Sequence, residues 1–208
     1  MKYVILSAIL LACFVVISFL ISSDNSVTKW DTSTFQSINH PQGKILNKIM
    51  VDLTKYGREV IWISVILLLA VLGKKDGRKA AVLLTITFLI LIPLGTILKS
   101  EIDRTRPSSE NILVSPDIDP SFPSGHATIV SAGATILLLR FNKGKQIIFS
   151  VILGIEALLV SYSRIYVGEH YPLDVMGGIL LGTGIACSVI AASKYMGSIF
   201  SYIDNMKK

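Results

Sequence analysis

Residues 80–107 read AAVLLTITFLILIPLGTILKSEIDRTRP, a run of nineteen uncharged and mostly apolar residues followed at once by a strongly charged block. A bilayer core of about 30 Å takes about 20 helical residues, so the first part is long enough to cross a membrane. The second part leaves it as a cluster of cations. Five more apolar segments flank this one, at residues 3–22, 60–73, 127–141, 147–162 and 173–193. The first and last are full length. The other three are short, but each is flanked by Lys or Arg able to snorkel, and a helix packed among others can begin a turn before its apolar run. The pattern predicts an all-α, six-transmembrane-helix bundle forming one membrane-embedded domain over residues 1–208. The segment at 3–22 has the position of a signal peptide, but its apolar run is too long and no A-x-A site follows, so it is expected to stay as a helix.

Composition agrees. Of 208 residues, 51% are hydrophobic and 16% charged, and the mean hydropathy is +0.62. That is too apolar for a soluble domain of this size and too short for two membrane domains. The net charge of +6 is not spread as a basic run with interleaved aromatics, which argues against nucleic acid as a partner. Membrane lipid headgroups account for it better. Cys13 and Cys187 lie in apolar runs, where a thiol acts as a small hydrophobe, and no disulfide is expected.

Charge also orients the chain. Lys74, Lys75, Arg78 and Lys79 fill one expected short loop, and Arg140, Lys143 and Lys145 another. Lys2, Lys194, Lys207 and Lys208 mark the termini. By the positive-inside tendency these are cytoplasmic, in a multi-pass cell-membrane protein. The blocks around Lys99, His126, Arg164 and Asp174 then share the extracytoplasmic face. Between the first two spans, Ile45, Leu46, Ile49, Met50 and Leu53 recur at helical spacing with Lys44, Lys48 and Lys55 between them. Such a helix lies in the membrane interface or packs on the bundle.

Three blocks carry the chemistry: KSEIDRTRP from Lys99, PSGH from Pro123, and SRIYVGEHYPLD from Ser163 to Asp174. Lys99, Arg106 and Arg164 are cations suited to the spread negative charge of a phosphoryl group in transfer. Ser124 and Gly125 precede an apolar run, so their backbone N–H groups are expected to face an anion from a helix N-terminus. His126 and His170 can serve as nucleophile and general acid. Asp174, four residues after His170, can accept one imidazole proton and leave the other nitrogen free to attack. His40 sits in a polar stretch and reads as a surface residue.

In order and spacing, these blocks resemble the three-part signature of the type-2 phosphatidic acid phosphatase superfamily. Six residues separate Lys99 from Arg106-Pro107, five separate Ser163-Arg164 from His170, and three separate His170 from Asp174. The resemblance implies that His170 becomes phosphohistidine, that Asp174 orients it, and that His126 protonates the leaving oxygen and later activates water. It implies phosphate binding by Lys99, Arg106, Ser124, Gly125 and Arg164, with no metal and no cofactor. The implied substrate is a lipid phosphate. A short chain without a soluble domain suits diphosphate plus hydrocarbon, which favours a polyprenyl diphosphate such as undecaprenyl diphosphate. Phosphatidate and phosphatidylglycerophosphate are alternatives, and a phosphotransferase or a non-enzymatic lipid-phosphate binder stands further off. Residues 108–122, rich in Ser, Pro and Asp, form a loop over the site and a candidate lid. Glu156, inside an apolar segment, is expected to face the bundle interior, protonated or hydrogen-bonded to a Ser or Thr.

Overall fold

A computed structural model of the chain describes residues 1–23, 26–40, 42–115 and 117–205. Among them are nine α-helices and no strand: α1 (Lys2–Ile21), α2 (Ser26–Ile38), α3 (Lys44–Tyr56), α4 (Glu59–Val71), α5 (Lys75–Ile102), α6 (Gly125–Arg140), α7 (Gln146–Tyr166), α8 (Pro172–Ala192) and α9 (Gly197–Asn205). Each expected apolar segment is a helix, with its ends moved by a few residues. Lys207 and Lys208 lie outside the described residues.

The largest shift is at α5, which is 28 residues long. Lys75, Arg78 and Lys79, expected in a loop, form its first turns. Lys, Arg and Ala are good helix formers, and Asp76 at the positive N-terminus favours an early start. At the other end Asp103 takes a left-handed conformation (φ 46°), and its N–H bonds to the Lys99 carbonyl. That cap ends the helix just after Lys99.

Helices α1, α5, α7 and α8 with its short 3-10 extension are long and apolar enough to cross a membrane, whereas α4 and α6 are shorter. The outer surface is apolar, with Val4, Ile5 and Phe19 of α1, Ile63 and Leu67 of α4, and Ile148 and Ile152 of α7 all exposed. A soluble protein rarely shows so much contiguous apolar surface, and lipid covers it in a membrane. The chain is a multi-pass membrane protein.

Helix α8 lies against both α1 and α6. Its small face permits close approach, as in many membrane bundles. A Cβ on Gly178 would stand 2.6 Å from the Ser124 carbonyl oxygen, and one on Gly182 would stand 2.1 Å from the Thr128 carbonyl oxygen. That contact sets the second block beside the third, and the Ser124 N–H donates to the Asp174 carbonyl at 3.0 Å.

The segment after the first span holds two helices. Helix α3 matches the apolar spacing noted above, burying Met50 against Tyr166 and Val167 at the end of α7 and leaving Ile45 and Ile49 exposed. Helices α2 and α9 were not foreseen. Helix α9 is tied to α5 by the Lys79–Asp204 ion pair at 2.8 Å.

Candidate active site

The turn between α7 and α8 carries His170. Gly168 adopts φ +93° there, a conformation that side chains rarely take, and a Cβ on it would press Ile112 at 3.1 Å. The Glu169 and His170 N–H groups both return to the Arg164 carbonyl, at 3.1 and 3.2 Å, so the turn wraps the end of α7. His170 is almost fully buried. Its Nδ1 faces Asp174 Oδ2 at 3.4 Å, and its Nε2 faces Arg106 Nη1 at 3.4 Å. Burial, with the charges of Arg164 and Arg106 next, holds His170 well below the ordinary imidazole range. A neutral ring with one nitrogen toward a carboxylate and the other toward cations is the state a nucleophile needs.

Asp174 is locked on both oxygens. Oδ2 accepts from the Tyr171 N–H at 2.8 Å, the reciprocal cap that starts α8. Oδ1 accepts from Arg104 Nη1 at 2.5 Å. Arg104 Nη2 donates in turn to Asp31 Oδ2 at 2.6 Å, and Asp31 Oδ1 accepts the Leu173 N–H at 2.9 Å. Burial raises Asp31 above the usual carboxylate range, although the Arg104 hydrogen bond opposes this. The sequence reading missed both Asp31 and Arg104. Arg104 stood inside the first block without a role, and nothing in the local pattern of α2 marks Asp31.

The three expected cations converge, and each already holds a carboxylate. Lys99 Nζ meets Asp119 at 2.5 Å. Arg106 meets Asp119 at 2.6 Å and Glu169 at 2.7 Å. Arg164 meets Asp117 at 3.1 Å and Glu169 at 3.4 Å. Burial favours the neutral form of Asp119, but the hydrogen bonds and charges of Lys99 and Arg106 outweigh it and bring the carboxyl down to about 2. Asp117 and Asp119 therefore reach into the site as two anions.

His126 stands at the start of α6, with Nε2 3.1 Å from the Thr54 carbonyl oxygen. A carbonyl only accepts, so Nε2 carries a hydrogen and Nδ1 is left to exchange a proton. Thr54 is held by its hydroxyl, 2.7 Å from Ser163 Oγ, which itself donates to Val160 at 2.7 Å. Ser163, the first residue of the third block, thus positions a histidine of the second through α3.

The expectation for Ser124 needs correction. Its N–H is taken by the Asp174 carbonyl, and its hydroxyl accepts from the Ala127 N–H at 3.5 Å as the cap of α6. The side chain is fully buried. The close packing of α6 on α8 turns that amide inward, so the backbone donors left at this helix start are those of Gly125 and His126, which precede the first intrahelical acceptor. Of the two alternatives for Glu156, the Ser or Thr partner is not found among the described residues: both its carboxylate oxygens are buried without a hydrogen bond, and Oε1 stands 3.2 Å from where a Cβ on Gly57 would be. Gly57 and Trp62, rather than a hydroxyl, fill the space that α3 and α4 present to it. His40 is exposed as expected, with its Nε2 3.2 Å from Gln42 Nε2.

A cavity of about 330 Å³ leads to the histidines. Its polar end holds Lys99, Gly125, His126, His170 and Arg58, and its walls are Trp62, Phe88, Leu91, Ile92 and Ile129 of α4, α5 and α6. Ile63 and Ile92, both lining it, are also exposed on the apolar outer surface. A polar head and a hydrocarbon tail would fit its two ends. Among the described residues no three His, Cys, Asp or Glu side chains gather as a metal site.

Residues 77–197 match the family model described as PAP2 superfamily. The chain belongs to the PAP2 superfamily. It is similar to the undecaprenyl-diphosphatase of Sulfolobus acidocaldarius, 44% identical over 186 residues that span 86% of each chain. The undecaprenyl-diphosphatase BcrC of Bacillus subtilis is 30% identical over 140 residues, 66% of this chain and 69% of that one. A crystal structure of a transmembrane PAP2-type phosphatidylglycerolphosphate phosphatase from Bacillus subtilis superposes with a TM-score of 0.75 at 26% identity, covering 91% of this chain and 96% of that one. The chain is therefore a membrane phosphatase of the metal-independent PAP2 type.

Proposed function

We propose that this PAP2 phosphatase hydrolyses a polyprenyl diphosphate to the monophosphate through a phosphohistidine on His170. The observation that carries the reading is the cavity, with cations and both histidines at one end and an apolar passage between α4, α5 and α6 at the other. The terminal phosphoryl group displaces Asp117 and Asp119 from Lys99, Arg106 and Arg164, whose charges then match its three oxygens. His170 Nε2 attacks phosphorus, and the bond to the bridging oxygen breaks. His126, entering this step protonated on Nδ1, gives that proton to the leaving oxygen, and prenyl monophosphate leaves. In the second half His126 takes a proton from water, which attacks the phosphohistidine and frees inorganic phosphate. Asp174, 3.4 Å from Nδ1 of His170, is placed to take up the Nδ1–H and balances the charge that the ring gains when Nε2 is phosphorylated. The backbone N–H groups of Gly125 and His126 at the start of α6 complete the phosphate cradle.

The chain acts as one domain over residues 1–208. In the membrane α4 and α6 cross as well, giving six spans, with α3 in the interface and both termini cytoplasmic. The active site then opens on the extracytoplasmic face beneath residues 108–122, which act as a lid. In a background lacking Cys13 and Cys187, Ile118→Cys should react with an impermeant thiol reagent in intact cells and Lys143→Cys should not. The reverse pattern would overturn the orientation.

A phosphatidylglycerophosphate reading is favoured by the likeness to the Bacillus subtilis structure. Phosphate release from farnesyl diphosphate, phosphatidate and phosphatidylglycerophosphate at equal surface concentration in mixed micelles separates the two. A higher kcat/KM for either glycerolipid would replace the prenyl assignment.

A further inference from the structure

Arg58 lies outside all three signature blocks, at the bend between α3 and α4, yet it lines the same cavity as Lys99, His126 and His170. Glu59 takes one edge of its guanidinium, accepting from Nε at 2.5 Å and from Nη2. Among the described residues Nη1 has no such partner. It points instead toward the start of α6, 3.4 Å from where a Cβ on Gly125 would stand. The charge is close enough to act on both His126 and Arg164. Lys99, Arg106 and Arg164 are each paired with carboxylates of Asp117, Asp119 or Glu169, and the Arg164 Nε that stays unpaired is buried, whereas Arg58 is braced by its own neighbour and lines the cavity with its Nη1 edge toward Gly125, the residue before His126.

We infer that Arg58 binds the second phosphate of a diphosphate substrate, the one that remains on the lipid. The inference rests on the diphosphate reading above and names the residue that would select for it. When His170 takes the terminal phosphoryl group, the bond that breaks is the one to the bridging oxygen, and the departing prenyl phosphate carries the negative charge away. A guanidinium beside His126 meets that charge as it forms, while the proton goes from His126 to the same leaving oxygen. A monophosphate leaves an alcohol behind and offers Arg58 no anion. Lys99, Arg106 and Arg164 serve the phosphorus under attack in both cases. Arg58 is the cation whose contribution depends on a second phosphate.

The experiment compares farnesyl diphosphate with farnesyl monophosphate in detergent micelles, for the wild-type chain, Arg58→Ala and Arg58→Lys. Arg58→Ala should lose about 10- to 100-fold in kcat/KM on the diphosphate, the usual cost of one charge-assisted contact. On the monophosphate it should stay within about threefold, a ratio that a merely structural defect would not change. Arg58→Lys should recover part of the diphosphate rate, because a point charge replaces the guanidinium without its forked geometry. An equal fall on both substrates, or no fall on either, overturns the role of Arg58. Failure of the wild-type chain to hydrolyse farnesyl diphosphate overturns the substrate reading itself, a result visible before any variant is made.

Discussion

Replacing Arg104 by Gln would test the buried relay behind the nucleophile. Asp31 and Asp174 are both fully buried, and Arg104 donates to them at 2.6 and 2.5 Å. Removing one partner of a buried ion pair costs about 3–5 kcal/mol, because the remaining charge is left desolvated. For a chain of this size 1 kcal/mol corresponds to about 2–4 °C, so Arg104→Gln should lower the melting temperature by roughly 6–20 °C in detergent. Asp174 would also lose the contact that aims it at His170, and kcat should fall about 10- to 100-fold, as for other outer partners of a reacting group. Adding Asp31→Asn to Arg104→Gln removes one of the two stranded charges and should restore about half of the lost melting temperature. It should not restore kcat, since Asp174 still lacks its guanidinium. A melting temperature within about 2 °C of wild type, with full kcat, would refute the relay.

Other outcomes follow from the same geometry. His170→Ala should abolish turnover, whereas His126→Ala should still form some phosphoenzyme from a substrate with a good leaving group. Labelled phosphate trapped on a residue other than His170 would end that assignment. The folded state keeps His170 from protonating, while the unfolded chain binds that proton below about pH 6.5. The stability this provides is present above that pH and is lost as pH falls below it. Thermal melts from pH 7.5 to 5 should therefore drop less for His170→Asn than for wild type, and equal slopes would contradict the buried neutral ring. Asp119→Asn removes an anion that phosphate must displace from Lys99 and Arg106. Inorganic phosphate should then inhibit about 3- to 10-fold more tightly, in line with the modest worth of a half-exposed ion pair. Weaker inhibition would mean that Asp119 supports the site rather than occupying it.

The sequence carried the spans and the three blocks because both are local signals: a run of apolar residues, or charges at fixed spacing. The relay from Asp31 through Arg104 to Asp174 is a contact between residues 31, 104 and 174, and no periodicity encodes such a pairing. Helix α2 was missed for a related reason. Its sequence SVTKWDTSTFQSI is rich in Ser and Thr, which favour caps and turns over helix interiors. It is held instead by Phe35 against Tyr171, ring centres 5.5 Å apart, and by Asp31 on the start of α8. The misplaced loop at residues 74–79 shows the opposite error. Charge there suggests a connector, although the residue types favour a helix and α5 begins at Lys75. Thr54 and Arg58 were invisible because their roles come from α3 and α4 folding back over the start of α6.

Lys99, Arg106 and Arg164 face Asp117, Asp119 and Glu169, so the charges of these six groups balance before substrate arrives. Three unpaired cations at such depth would be costly, and the carboxylates remove that cost. They do so unequally. Glu169 is buried on the turn that carries His170 and is fixed by it, whereas Asp117 and Asp119 are half-exposed on the crossing from α5 to α6. A phosphoryl group can therefore take the place of the two aspartates without disturbing the nucleophile, and Glu169 remains as a counter-charge on Arg106 and Arg164. The proposed exchange would replace two separate carboxylates by one dianion with three oxygens in a fixed tetrahedron, equal to the two carboxylates in charge and better matched to the cations in geometry. A single carboxylate ligand cannot make that trade, so such an arrangement would favour a tetrahedral dianion over a carboxylate.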